Sequence, residues 1–245
     1  MTSAYKYTVS LCLAGLLWGA ANFTWEVPSE AVFPVHCIYY ISTFYLTFPK
    51  AGVLRSFFTT LGICLGDLFL TCSVLDFSGN FSFLVLQYFL IYSCFLILST
   101  REIYSALKNE ALRTTLFAGE ALWRANFLVW SIASLVASLG GISYESVLVG
   151  ICMGALKVAV APMVYLLDSF FCLDIPVRDI SLRGLKDYVK QGVVVSIASL
   201  VLATYTGNIQ VPELIGKTYA NIFASLYFMM WYAKDSVEYG EFFRR

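Results

Sequence analysis

Charge is scarce in this chain: Asp, Glu, Lys and Arg make up 13% of its 245 residues, sixteen of each sign, and the formal net charge is zero. No basic surplus is present to draw the chain to nucleic acid, and that class of partner is set aside. Histidine is nearly missing too, with His36 alone, too few for a histidine-rich metal centre, so no metal site is expected. The seven cysteines stand singly, without the C-x-x-C spacing of a redox or zinc site, and read as small buried hydrophobes. Also missing are a G-x-S-x-G, an H-E-x-x-H and a phosphate-binding glycine loop, which leaves no enzyme class to argue for. No Ser/Pro-rich linker or low-complexity segment divides the chain, so residues 1–245 are read as one domain.

Hydrophobic residues, in contrast, take 59% of the positions. They gather into runs near the roughly twenty residues needed to cross a hydrocarbon core of about 30 Å. The expected class is an all-α polytopic membrane protein. Seven spans are read at about 35–48, 57–75, 81–99, 114–139, 150–171, 192–206 and 215–232. Breaks fall at Pro28 and Pro34 before the first, at Pro49 after it, at Gly140 and Gly141 before the fifth, and at Pro212 before the seventh. Residues 100–113 look like a solvated helix, 175–190 a basic connector and 233–245 a charged cytosolic tail. The apolar stretch 7–25, preceded by Lys6, is an extra span, a lead-in helix or a signal peptide. Gly19-Ala20-Ala21 is a poor A-x-A cleavage site, which argues against the last.

Lys and Arg then report the topology. Lys50, Arg55, Arg101, Lys108, Arg113, Arg178, Arg183, Lys186, Lys190, Lys234, Arg244 and Arg245 all fall on one side of the seven spans, which the positive-inside rule makes cytosolic. The sequons at Asn22 and Asn80 fall on or near the other side. Spans one to three and four to six then run in opposite orientation, as in an inverted 3+3 repeat with a seventh helix added. In such a repeat spans two and five face each other across the pseudo-two-fold axis.

Those two spans carry the residues least at home in a bilayer. Span five holds Gly150, Gly154, Lys157 and Pro162; span two holds Gly62, Gly66 and Asp67. A charge at membrane depth costs roughly 2.5–3.5 kcal/mol on insertion scales, so Lys157 is expected to face protein or water. It lines a pathway for ions, or it locks two helices. Asp67 offers a carboxylate to a cation pathway or a partner to Lys157. Pro162 removes a backbone donor, and the helix is expected to bend there. The two G-x-x-x-G spacings let another backbone come close, either as plain packing or as a pore wall. In span four, Glu120 and Arg124 have the i, i+4 order that favours a helical ion pair. Alternatively Arg124 and Arg113 meet an anionic lipid head group on the cytosolic side.

From 33 to 232 the pattern resembles the trimeric intracellular cation (TRIC) channel family. The likeness is carried by Phe33-Pro34-Val35 opening the first span, Asp67-Leu68-Phe69-Leu70 in the second, Gly154-Ala155-Leu156-Lys157 in the fifth and Val211-Pro212 before the last. The resemblance implies a homotrimer in which each subunit has its own pore between spans two and five. It further implies a monovalent cation channel, mainly for potassium, in the endoplasmic or sarcoplasmic reticulum membrane, balancing charge as calcium leaves the store. Lys157 maps to the family's gating lysine. A phosphoinositide is held in the family by a K-E-V motif of the fourth helix; here only Glu120 keeps register, with Arg124 one place off. Where the family has further glycines after the lysine, this chain has Val158-Ala159-Val160-Ala161-Pro162. A secondary transporter built on an inverted repeat is the rival reading.

Overall fold

Long apolar runs with few interior breakers favour helix, the state that satisfies each backbone donor and acceptor without water. The computed structural model describes residues 29–72, 81–98, 100–176, 180–205 and 219–242, and helix is the regular structure found among them. In chain order the helices are α1 (Ser29–Thr47), α2 (Val53–Cys72), α3 (Phe81–Ile97), α4 (Thr100–Lys108), α5 (Glu110–Ser138), α6 (Tyr144–Cys172), α7 (Leu182–Tyr205) and α8 (Tyr219–Phe242). The stretch 7–25, both sequons' asparagines and Val211-Pro212 lie outside the described residues.

Among these helices α5 and α6, each of 29 residues, are long and apolar enough to cross a bilayer. At 1.5 Å per residue each reaches about 43 Å. Within α3, Val85–Cys94 forms a shorter apolar stretch. Large apolar side chains also remain outside the packed interior: Leu86, Leu90 and Ile97 on α3, and Leu156, Leu167 and Phe170 on α6. A surface of that kind suits lipid rather than water. The all-helical architecture is consistent with an α-helical membrane protein.

Helix α6 packs along α7 and α5 along α8, with α1 and α2 closing against α5 and α6. The reversal from α5 to α6 turns on Gly140 and Gly141, with φ of 85° and 99°, a backbone region that glycine enters without a Cβ penalty. Ser143 then caps α6: its hydroxyl accepts from the Ser146 N–H at 3.1 Å, and Ser146 Oγ accepts from the Ser143 N–H at 2.8 Å. Between α6 and α7 the backbones come close. A Cβ built on Gly192 would lie 2.6 Å from Ala155 Cα, and one on Gly154 would overlap Ser196 Oγ. Across α5 and α8, the Asn221 amide donates to Asn126.

Several boundaries differ from those expected of hydropathy alone. Pro34 lies inside α1, which starts at Ser29. The basic connector becomes helical from Leu182, and the charged tail continues α8 to Phe242. Tertiary burial explains the last: Asp235 and Tyr239 are buried, and Lys234 pairs with Glu238 one turn on, at 3.8 Å. The solvated segment is the short α4, ended where Asn109 caps α5 by accepting from the N–H groups of Ala111 and Leu112. Tyr104 ties α4 down by donating to the Tyr45 carbonyl at 2.7 Å. Burial pushes that phenol up to about 12, so it stays a donor at neutral pH.

Candidate functional site

Helix α2 runs alongside α6, and the contacts step evenly along both. Arg55 and Thr59 meet Asp168, Gly62 faces Val164, Gly66 faces Val160, and Asp67 meets Lys157. Residue numbers rise on one helix as they fall on the other, so the pair is antiparallel. A Cβ on Gly66 would sit 3.2 Å from Val160 Cγ1 and one on Gly62 3.9 Å from Val164 Cγ1. The glycine notches are therefore filled by valine, and the seam is closed.

One end of the seam is held by a guanidinium clamp. Arg55 Nε donates to both Asp168 oxygens, at 3.2 and 3.0 Å, and Nη2 donates to Oδ2 at 2.7 Å. Asp174 takes Nη1, Thr59 adds a hydroxyl at 2.9 Å, and the guanidinium lies 4.8 Å from the Phe48 ring centre. Both Arg55 and Asp168 are mostly buried, so the pair is screened less than a surface bridge. Asp168→Ala is expected to lower the melting temperature in detergent by about 3–12 °C, from hydrogen bonds to charge worth roughly 1.5–3 kcal/mol. The reversed pair, Arg55→Asp with Asp168→Arg, should regain part of that; no drop in the single variant would mean the clamp holds nothing.

At the other end of this run of contacts lies the charge cluster. Lys157, 5% exposed, points its ammonium between Asp67 Oδ1, 3.7 Å away, and the Phe127 ring, whose centre is 3.5 Å away. Phe127 belongs to α5 and lies near-parallel to Trp123 and Trp130, with centroid distances of 5.2 and 6.1 Å. These rings stand at i, i+4 and i+7 and share one face of the helix. Glu120, fully buried, accepts from Arg124 Nε at 3.2 Å and shares a 2.9 Å hydrogen bond with His36 Nδ1. The His36 ring is held edge-on by Tyr40 at 4.6 Å. Within this cluster each charge thus has an opposite charge beside it, the condition for keeping ions at depth. His36, Asp67, Trp123, Arg124, Phe127 and Lys157 line a small cavity of about 10 Å³, room for about one water. Arg124 also lines a second cavity of about 30 Å³, with Tyr40, Thr43, Pro162, Tyr188 and Tyr232 among its walls.

The structure brings Lys157 and Asp67 together and sets Gly62 and Gly66 on the same seam. Gly150 and Gly154 look elsewhere, into Ile132 and Val136 of α5 and Leu200 and Ser196 of α7. That is the close-packing use of their spacing. Helix α6 continues unbroken through Pro162. Glu120 and Arg124 form the i, i+4 pair at 3.1 Å. Arg113 does not join them: its Nη1 donates to the Leu107 carbonyl at 2.9 Å, under Gly240. Arg113 and Glu120 are buried, and Arg124 is 11% exposed.

His36, Phe127 and the Arg55–Asp168 clamp belong to the arrangement but were not among the expected site residues. The aromatic spacing 123, 127, 130 beside Glu120 and Arg124 was the available signal for Phe127; for the clamp there was none without cross-helix register. Comparison of the chain with protein-family models, curated proteins and solved structures finds no match.

Proposed function

We propose that this protein is a monovalent cation channel, mainly for potassium, of an intracellular calcium-store membrane, and that the seam between α2 and α6 is its closed pathway. The observation that carries the reading is the Lys157 ammonium held between Asp67 and Phe127 well inside the apolar body. A membrane-embedded charge facing a cavity rather than lipid marks an ion or polar-solute path. Supporting it, α1, α2, α3, α5, α6, α7 and α8 have 17 to 29 residues, near or beyond the length of a span. In this reading they form an inverted 3+3 repeat plus one helix, assembled as a homotrimer in the endoplasmic or sarcoplasmic reticulum membrane. Opening separates Val160 and Val164 from the glycine notches of α2, and Lys157 leaves the path.

Purified protein in a planar bilayer with symmetric KCl is expected to give discrete unitary currents, and Lys157→Ala to change their open probability or its voltage dependence. Flux that requires a co-substrate, without steps, would instead indicate a transporter caught occluded, which the closed seam also fits.

A further inference from the structure

The cavity of about 30 Å³ beside Arg124 has Tyr40, Thr43, Pro162 and Tyr232 in its walls. Glu120 takes the Arg124 Nε at 3.2 Å and Nη2 at 3.1 Å, which leaves Nη1 to donate elsewhere. Thr43, 2% exposed, brings a hydroxyl whose Oγ1 has no hydrogen-bond partner among the described residues, a costly state for a buried polar group. Pro162 offers no N–H to the Val158 carbonyl one turn back. Ordered water is one means by which a membrane helix meets such a carbonyl. The chemistry of the walls selects the occupant. Among the described residues lining the cavity Arg124 alone is charged, and Glu120 balances it. An anion would therefore bring a charge with no counter-charge, and a cation would meet the guanidinium's repulsion. An apolar occupant would leave the Thr43 hydroxyl unmet. Water serves each of these groups, and the volume has room for about two molecules at ~10–15 Å³ each.

We propose that this cavity is an internal hydration site, in which about two waters bridge the Thr43 hydroxyl to the Arg124 guanidinium beside Pro162. The inference goes beyond the channel reading and does not need it. It gives Thr43 a partner, and it gives α6 a source of hydrogen bonds at the one residue of that helix without an N–H. Radiolytic hydroxyl-radical footprinting in detergent is the test, because bound water yields radicals that oxidise side chains shut off from bulk solvent. Tyr40 and Tyr232 are 3% and 5% exposed. They are expected to be oxidised several-fold faster than Tyr88, 1% exposed, whose hydroxyl meets that of Thr60 at 2.8 Å.

Thr43→Val keeps the side chain's shape and removes its hydroxyl. It should roughly halve oxidation at Tyr232, while Thr43→Ser should leave it near the parent's. The valine variant should also melt about 2–4 °C lower. In a dry cavity it would melt higher, since an orphaned hydroxyl is gone. The wild-type protein should melt alike in potassium chloride and potassium gluconate. Oxidation of Tyr40 and Tyr232 no faster than that of Tyr88 overturns the site, and the wild-type protein alone gives that answer should a variant fail to fold. A higher melting temperature in Thr43→Val overturns it too. Chloride-dependent stability that Thr43→Val removes also overturns it and assigns the cavity an anion. None of these results bears on the pathway between α2 and α6, and a protein that passes no unitary current leaves the hydration site standing.

Discussion

Gly192→Ala is expected to be among the most damaging single-methyl additions in this protein. Its new Cβ would stand 2.6 Å from both Ala155 Cα and the Gly154 carbonyl oxygen, and 3.0 Å from Ala155 N. All three are backbone atoms of α6, which no rotamer change can move aside. Over-packing commonly costs about 1–3 kcal/mol, and with the helix axes themselves forced apart the cost should reach or pass the upper figure. That corresponds to a melting temperature lower by roughly 6–12 °C for a chain of this size. Gly52→Ala is the control: nothing lies within 4 Å of its Cβ position, so the added methyl should be neutral or slightly stabilising. Size-exclusion profiles and melting curves of the two variants in one detergent make the comparison. If both melt with the parent, α6 and α7 do not approach this closely.

Glu120→Ala should be comparably severe for an electrostatic reason. Glu120 is fully buried and takes a hydrogen bond from Arg124 on one side while sharing one with His36 on the other. Its removal strands a guanidinium in the interior, and breaking a buried pair from one side costs about 3–5 kcal/mol. The expected drop in melting temperature is ~10 °C. Glu120→Gln should fall less, because an amide oxygen still accepts hydrogen bonds. The double change Glu120→Ala with Arg124→Leu should recover much of the loss, since the stranded charge leaves as well. Recovery distinguishes a charge effect from a cavity effect: a cavity would be left unrepaired by the second substitution.

The helical class and the places where charge enters the apolar body were legible in the sequence. Asp67 and Lys157 stood out as ions in runs that otherwise avoid them, and Glu120 and Arg124 through their four-residue spacing. Helix extents were less legible. Residues 182–191 and 233–242 are too polar to announce a span, yet stay helical because Gln191, Asp235 and Tyr239 are buried against neighbouring helices. Hydropathy windows register composition and miss that tertiary support. Cross-helix register was not legible at all. His36 meets Glu120 from 84 residues away, and Arg55 meets Asp168 from 113, pairings that depend on how α1, α2, α5 and α6 slide against one another. The glycine spacing in α6 identified a close approach without saying to which helix, and α5 and α7 proved to be the neighbours.

The two ionic contacts between α2 and α6 have opposite polarity. Arg55 of α2 faces Asp168 of α6, while Asp67 of α2 faces Lys157 of α6. Each helix therefore brings one cation and one anion to the seam. A rigid slide of either along the bilayer normal would carry these two charges together, and the work done on them by a transmembrane field would cancel. Electrical sensitivity from this quartet is then left to motions that part the charges on a single helix, such as the Lys157 side chain swinging alone. One elementary charge crossing the whole field is worth about 2.3 kcal/mol per 100 mV, and a side chain traverses only a fraction of it. For the channel proposed above, this arrangement predicts a shallow response to voltage.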